Sequence, residues 1–354
     1  MKNCIACVWM TMNSIGENMK NNNLSILGAG FACLDIIKTK NQEEVMLGGT
    51  AANVVTILSL LGLKTSFLTA RYSGQTGRYM ERAFESRGVE CIFFTDTKSQ
   101  APKIIEGIEE GKHFFITVCP KCGRLLTKCS LPSLSQMNKV KRQYNFSPNI
   151  FFFDRISEGI KEFARENQNG WNVYEPNSCR IYSNLIRGIQ VANIVKYSED
   201  RISSKITDSI LKDIKNTDVA LLIVTMGKKG IKYVYRTETG ELSDWSYIVA
   251  EAIEKVEDSS GSGDWLTAVF LYFLLKKYPN YTNRLNGQYL YNSLVEAQKY
   301  ATQNCFFIGA QGMLRNRSVV DRINLELDGE IKSICDGGIN WEYDCCWCYN
   351  EYIE

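Results

Sequence analysis

The chain has 354 residues, 45% of them apolar, and a formal net charge of +2, so it can bury a large core and lacks the basic excess of a nucleic-acid binder. No stretch of about 18 apolar residues occurs, which argues against a membrane span. The single histidine, His113, excludes a multi-histidine catalytic metal site; its Gly-Lys-His-Phe-Phe-Ile setting reads as the start of a strand, with a structural or solvent-facing role.

Residues 1–23 read as a flexible tail rather than a signal peptide, because the apolar patch near residues 7–10 is short and a polar Asn/Lys run follows. From Leu24 onward, strand-like and helix-like segments alternate. Residues 24–28, 64–68 and 90–94 are short apolar strand candidates, with helix candidates at 51–61 and 79–87 between them. Residues 102–106 and 113–118, joined by Gly107-Ile108-Glu109-Glu110-Gly111, predict a β-hairpin that interrupts the rhythm as a lid. A cysteine knuckle and a polar Ser/Lys/Gln stretch follow, read together as an insertion near 119–149. Four more apolar runs, at 150–154, 171–174, 193–195 and 220–224, then restore the pattern of a parallel sheet covered on both faces. Ligands of such sheets bind beyond the carboxyl ends of the strands, which directs attention to Asp35, Asp154, Glu175, Asn177, Lys196 and Thr225.

Thirteen cysteines without a secretion signal point to a reducing, cytoplasmic setting, where clustered thiols serve metals more often than disulfides. Cys119-Pro-Lys-Cys122-Gly is a zinc-knuckle pattern, and Cys345-Cys-Trp-Cys348 supplies a second pair. Cys119, Cys122, Cys345 and Cys348 would complete a structural Zn2+ site clipping a C-terminal extension, 318–354, onto the insertion. Cys129 and Cys346 are alternative ligands, and free buried or merely reactive thiols are the contrasting reading.

Two glycine-rich segments carry the chemistry. Asp258-Ser-Ser-Gly261-Ser262-Gly263-Asp264 runs straight into an apolar helix, so unpaired N–H groups at the helix start point outward as donors to an anion, with a carboxylate in the first turn. That arrangement suits a phosphoryl group and a proton acceptor. Gly48-Gly49-Thr-Ala-Ala-Asn53 also precedes a helix and presents an amide able to read hydroxyls; by itself it equally suits an ordinary capped turn. Walker A and protein-kinase catalytic-loop patterns are absent, and Cys33 occupies the third-glycine position of a dinucleotide-binding fingerprint.

Taken together and in order, these segments resemble the signatures of the ribokinase-like (PfkB) carbohydrate kinases. Gly28-Ala-Gly-Phe-Ala-Cys-Leu-Asp35 resembles the family's opening strand, Ile194-Val-Lys196-Tyr-Ser-Glu199 its nucleotide-side strand, and Thr225-Met-Gly227-Lys-Lys-Gly230 its Thr-x-Gly-x-x-Gly turn. The resemblance spans about residues 24–313. It implies a three-layer α/β fold with a mostly parallel central sheet, helices on both faces and a small β lid, as one kinase domain over 24–317 with lid strands near 35–47 and 100–118. It further implies transfer of the γ-phosphoryl group of ATP to a hydroxyl of a sugar or nucleoside. Asp264 would be the base, with Gly261, Ser262 and Gly263 as anion hole. Asp35, Gly48, Gly49 and Asn53 would hold the acceptor. Lys196, Glu199, Thr225, Gly227 and Gly230 would line the nucleotide side, with Mg2+ on the ATP phosphates and the lid closing over the acceptor, or pairing with a second lid in a homodimer. The family's Asn-x-x-Glu pair is replaced by Ser198-Glu-Asp-Arg201, so Glu199 or Asp200 would serve magnesium instead. The contrasting expectation is a nucleotide-binding, zinc-stabilised interaction protein that keeps this scaffold with little turnover.

Overall fold

The computed structural model describes residues 24–38, 43–109, 112–119, 122–176, 182–253 and 255–327. The expected alternation is realised as a nine-stranded sheet among these residues. Its strands are β1 (Ser25–Ala29), β4 (Lys64–Arg71), β5 (Val89–Asp96), β8 (Ile150–Phe153), β9 (Trp171–Tyr174), β10 (Ile194–Ser198), β11 (Leu221–Thr225), β12 (Ile231–Tyr235) and β13 (Ser246–Ile248), in the order β13-β12-β11-β10-β9-β8-β1-β4-β5. The pairings from β5 to β11 are parallel, and only β12 and β13 add on antiparallel. All four side chains of β8 and of β9 are buried. Because successive side chains of a strand point to opposite faces, both faces of the sheet are covered, as the continuous apolar runs require.

The helices between strands are α1 (Thr50–Leu60), α2 (Gly74–Glu85), α3 (Leu134–Gln143), α4 (Glu158–Glu166), α5 (Tyr182–Ile189) and α6 (Ser204–Ile214). Three more follow the sheet: α7 (Ser262–Lys277), α8 (Gly287–Asn304) and α9 (Arg317–Leu327). α7 lies between α1 and α8, which explains why its sequence has no polar stripe: Trp265 to Tyr272, Leu274 and Leu275 are all buried. α3 arises in the polar stretch read as part of an insertion. Ser133 and Gln136 form a reciprocal capping box at its start, and Met137 and Val140 enter the core. Packing also continues past residue 317, since Val320, Ile323 and Leu327 of α9 are buried and Tyr272 Oη donates to the Leu327 carbonyl at 2.7 Å.

A second sheet forms the lid, with the order β3-β2-β6-β7 for β2 (Cys33–Lys38), β3 (Glu43–Gly48), β6 (Lys103–Glu109) and β7 (Lys112–Ile116). The hairpin at β6 and β7 is antiparallel as expected, and β2 pairs with β6 in parallel. After β7, Cys119 N–H donates to Arg124 O and Gly123 N–H to Cys119 O.

Candidate active site

Asp264 is the third residue of α7, inside the turn whose N–H groups have no intrahelical partner. Gly261 caps that helix in the left-handed conformation, φ +74°, and a Cβ there would overlap Ala310, so only glycine lets the loop close so tightly. Asp258 is 1% exposed and pins the loop from below: its carboxylate accepts from Ser260 N–H at 2.6 Å and from Gly309 N–H at 2.7 Å. Trp265 Nε1 donates to Ala310 O at 2.9 Å. The bulky Trp265 thus ties the start of this helix to the chain segment that backs Gly261.

Asn53 lies in the first turn of α1, and its Nδ2 donates to Asp264 Oδ2 at 2.7 Å. The two glycine segments of the sequence therefore meet through one hydrogen bond. Asp264 is buried, and desolvation raises its pKa to about 7, with Glu175 adding to the rise and the Asn53 donor, Lys196 and Arg201 opposing it. A carboxylate poised near neutrality suits a proton acceptor working at physiological pH.

Behind this turn lies a buried knot of charge. Lys196 Nζ lies 2.5 Å from Glu175 Oε1 and donates to Gly263 O at 2.9 Å, while Thr267 Oγ1 donates to Glu175 Oε2 at 2.8 Å. Lys196 thus supports the glycine loop at Gly263, whereas the other residues expected on the nucleotide side gather elsewhere. Glu199 N–H donates to Thr225 O, Gly227 to Lys229 form a short 3-10 turn, Met226 N–H donates to Gly230 O, and Lys232 Nζ lies 3.4 Å from Glu199 Oε1. These residues lie together at the carboxyl ends of β10 and β11.

At the lid, Asp35 of β2 faces Gly48 of β3 so closely that a Cβ at Gly48 would overlap its carboxylate. Cys33 donates its thiol proton to Asp35 Oδ1 at 3.1 Å, and burial holds that thiol well above its usual pKa. Desolvation and the charge of Asp258 push Asp35 to about 7, although the Cys33 bond opposes this. Glu106 of β6 was not signalled by any motif. It projects from the same lid face as Asp35, since Asp35 pairs with Ile104 and side chains two apart share a face. Glu106 is 6% exposed, and burial with the charges of Asp35 and Asp258 raises it to about 8. Asp154, at the end of β8, accepts from Phe31 N–H at 2.8 Å and is raised by burial to about 6.

Among the described residues, no three or more His, Cys, Asp or Glu side chains are placed to hold a metal ion. Cys119 is buried and Cys122 exposed, and Cys345 and Cys348 lie outside the described residues, as does Asn177. The side chain of His113 is likewise not described. No described helix is long and apolar enough to cross a membrane.

The sequence matches the pfkB family carbohydrate kinase over residues 13–314. The chain belongs to this family. The match begins within the stretch read as a flexible tail and ends at Leu314, close to the boundary expected from the motifs. Among curated relatives, a fructokinase of Vibrio alginolyticus is 22% identical over 260 residues, covering 66% of this chain and 79% of that one. Among solved structures, fructokinase with bound ATP from Xylella fastidiosa superimposes with a TM-score of 0.66 at 18% identity, covering 86% of this chain and 99% of that one. Ribokinase from Giardia lamblia gives a TM-score of 0.67 at 13% identity with the same coverages. The fold is ribokinase-like, and the chain is a carbohydrate kinase that transfers a phosphoryl group from ATP.

Proposed function

We propose that this kinase phosphorylates a hydroxyl of a sugar, with Asp264 as base and the backbone N–H groups of Gly261, Ser262 and Gly263 as anion hole. The observation that carries the reading is the bond from Asn53 to Asp264 Oδ2 at the mouth of a helix N-terminus. It occupies one carboxylate oxygen and leaves Oδ1 to accept the proton of the acceptor hydroxyl. Asp264 orients that hydroxyl and takes its proton late, once bonding to phosphorus is under way, because a carboxylate is a far weaker base than an alkoxide. Charge developing on the transferred group meets the helix N-terminus. Asp35, Gly48, Gly49 and Asn53 hold the acceptor from the lid side. Glu199, Thr225, Gly227 and Gly230 border the nucleotide, and Lys196 acts by holding the Gly263 carbonyl.

Magnesium would arrive on ATP and neutralise phosphate charge there. Glu199 is half-buried and Asp200 exposed at the nucleotide-side loop, so both fit contact with its water shell rather than a protein cage. Zinc on Cys119, Cys122, Cys345 and Cys348 is proposed from their spacing. Metal analysis of the purified chain should return one zinc, and none removes the site. Lid-to-lid pairing of two chains and a cytoplasmic setting belong to the same reading, consistent with Phe115 at 56% and Val118 at 46% exposure at the lid edge.

Fructose is the first acceptor to try, because the curated relatives are fructokinases, followed by a panel of sugars and nucleosides. ADP release should depend on acceptor and disappear in Asp264→Asn, with nucleotide affinity retained. Nucleotide binding without ADP release across the panel would instead favour the scaffold reading.

A further inference from the structure

We propose that Gln311, held by Arg87, is a positioning residue that fixes the amide of Asn53 so that its donor end faces Asp264. The proposal rests on the reading of Asp264 as base. The two ends of an asparagine amide are alike in shape and opposite in hydrogen bonding, so its orientation decides whether Asp264 receives a proton donor or meets a lone pair. Something must therefore select the orientation.

Arg87 can make that selection because a guanidinium only donates. It is 4% exposed, follows α2, and its Nε donates to Gln311 Oε1 at 2.7 Å while NH1 donates to Ala83 O at 3.0 Å. With its oxygen committed to Arg87, Gln311 can only present Nε2 on its other side. That group donates to Asn53 Oδ1 at 3.0 Å and lies 3.3 Å from Leu47 O. Asn53, its own oxygen now committed, turns Nδ2 to Asp264. Gln311 and Asn53 are 2% and 3% exposed, so water does not compete to randomise either amide. A reversed amide anywhere along the chain would oppose two donors or two acceptors in a buried site, a cost of about 1–3 kcal/mol for the stranded group. Gln311 also follows Ala310, which backs Gly261 and accepts from Trp265. One short segment thus sets both the shape of the anion hole and the orientation of the base's partner.

The test is Gln311→Met, which keeps length and neutrality and removes the selecting groups. The acid limb of kcat should move up by roughly one pH unit and kcat at pH 7 fall about fivefold, with KM for ATP unchanged. In an Asn53→Ala background, Gln311→Met should shift the acid limb no further, since it acts only through Asn53; an equal shift in both backgrounds overturns the proposal. So does a folded Gln311→Met protein with wild-type pH dependence. Should Gln311→Met not fold, Arg87→Met/Gln311→Met leaves neither partner stranded and is read against the same two outcomes. Titration of the Asp264 carboxyl, followed by carbon NMR against Asp264→Asn, reads the same shift without turnover. If the wild type phosphorylates nothing, the kinase reading fails, and this titration still decides the role of Gln311.

Discussion

Asn53 and Asp264 are 211 residues apart in sequence and joined by a 2.7 Å hydrogen bond. The bond works against the burial that raises Asp264 to about 7, so the pKa of the proposed base is a compromise between two structural facts. Removing the donor with Asn53→Ala should move the acid limb of kcat/KM, which reports the free enzyme, to higher pH by up to about one unit. A pH–rate profile checks this. An unchanged or lowered limb would mean that Asp264 is not the group titrating.

Raised carboxylates also leave a mark on stability. Asp35, Glu106 and Asp264 have folded-state pKa values of about 7, 8 and 7, each above the ordinary carboxyl range. Folding thus favours their protonated forms, so their contribution is fully present below about pH 4 and is lost as pH rises through about 7 to 8. The ligand-free protein should have a lower Tm at pH 9 than at pH 6, by scanning calorimetry. Glu106→Gln cannot ionise and should flatten the decline; an equal decline in the variant would show that Glu106 titrates normally.

Much of this site was readable because its chemistry lies in local patterns. Gly261 has a left-handed backbone, a requirement that a glycine between two serines before a helix can announce. Apolar runs such as Phe151-Phe152-Phe153 announce a sheet buried on both faces. Gln311, Arg87 and Glu106 gave no signal, because each acts through contacts made only after folding brings distant segments together. Lys196 stands at the end of an apolar run, where sequence pattern directs attention, but only the fold reveals that Glu175 and Gly263 take its ammonium. α3 was legible in principle, since Ser133 and Gln136 stand at capping-box spacing, and the polar composition around them masked it.

Gly261→Ala tests the anion hole. The substitution forces a side chain into a left-handed conformation and into Ala310. The loop must shift, and its N–H groups with it. Loss of a preorganised donor to developing charge typically costs about 10²–10³ in kcat. The expected result is a kcat loss of that order with nucleotide still bound, measured by ADP release and calorimetric titration. A variant with wild-type kcat would place the developing charge elsewhere.

Glu175 and Lys196 push Asp264 in opposite directions, one raising and the other lowering its pKa. Substituting them one at a time should therefore move the acid limb oppositely: downward for Glu175→Gln and upward for Lys196→Met. Stability should not follow the same pattern. Their side chains are 11% and 4% exposed, and removing one member of a buried pair strands the other, at a cost of about 3–5 kcal/mol. Lys196→Met should thus lower stability to urea markedly, whereas Lys196→Met/Glu175→Met, which strands neither charge, should recover most of the loss. The double variant also releases the Gly263 carbonyl from its lysine donor, so its kcat should stay below wild type even where its stability returns. Recovery of both together would mean that the pair serves the core alone, and limbs moving in the same direction would mean that the ion pair does not tune the base.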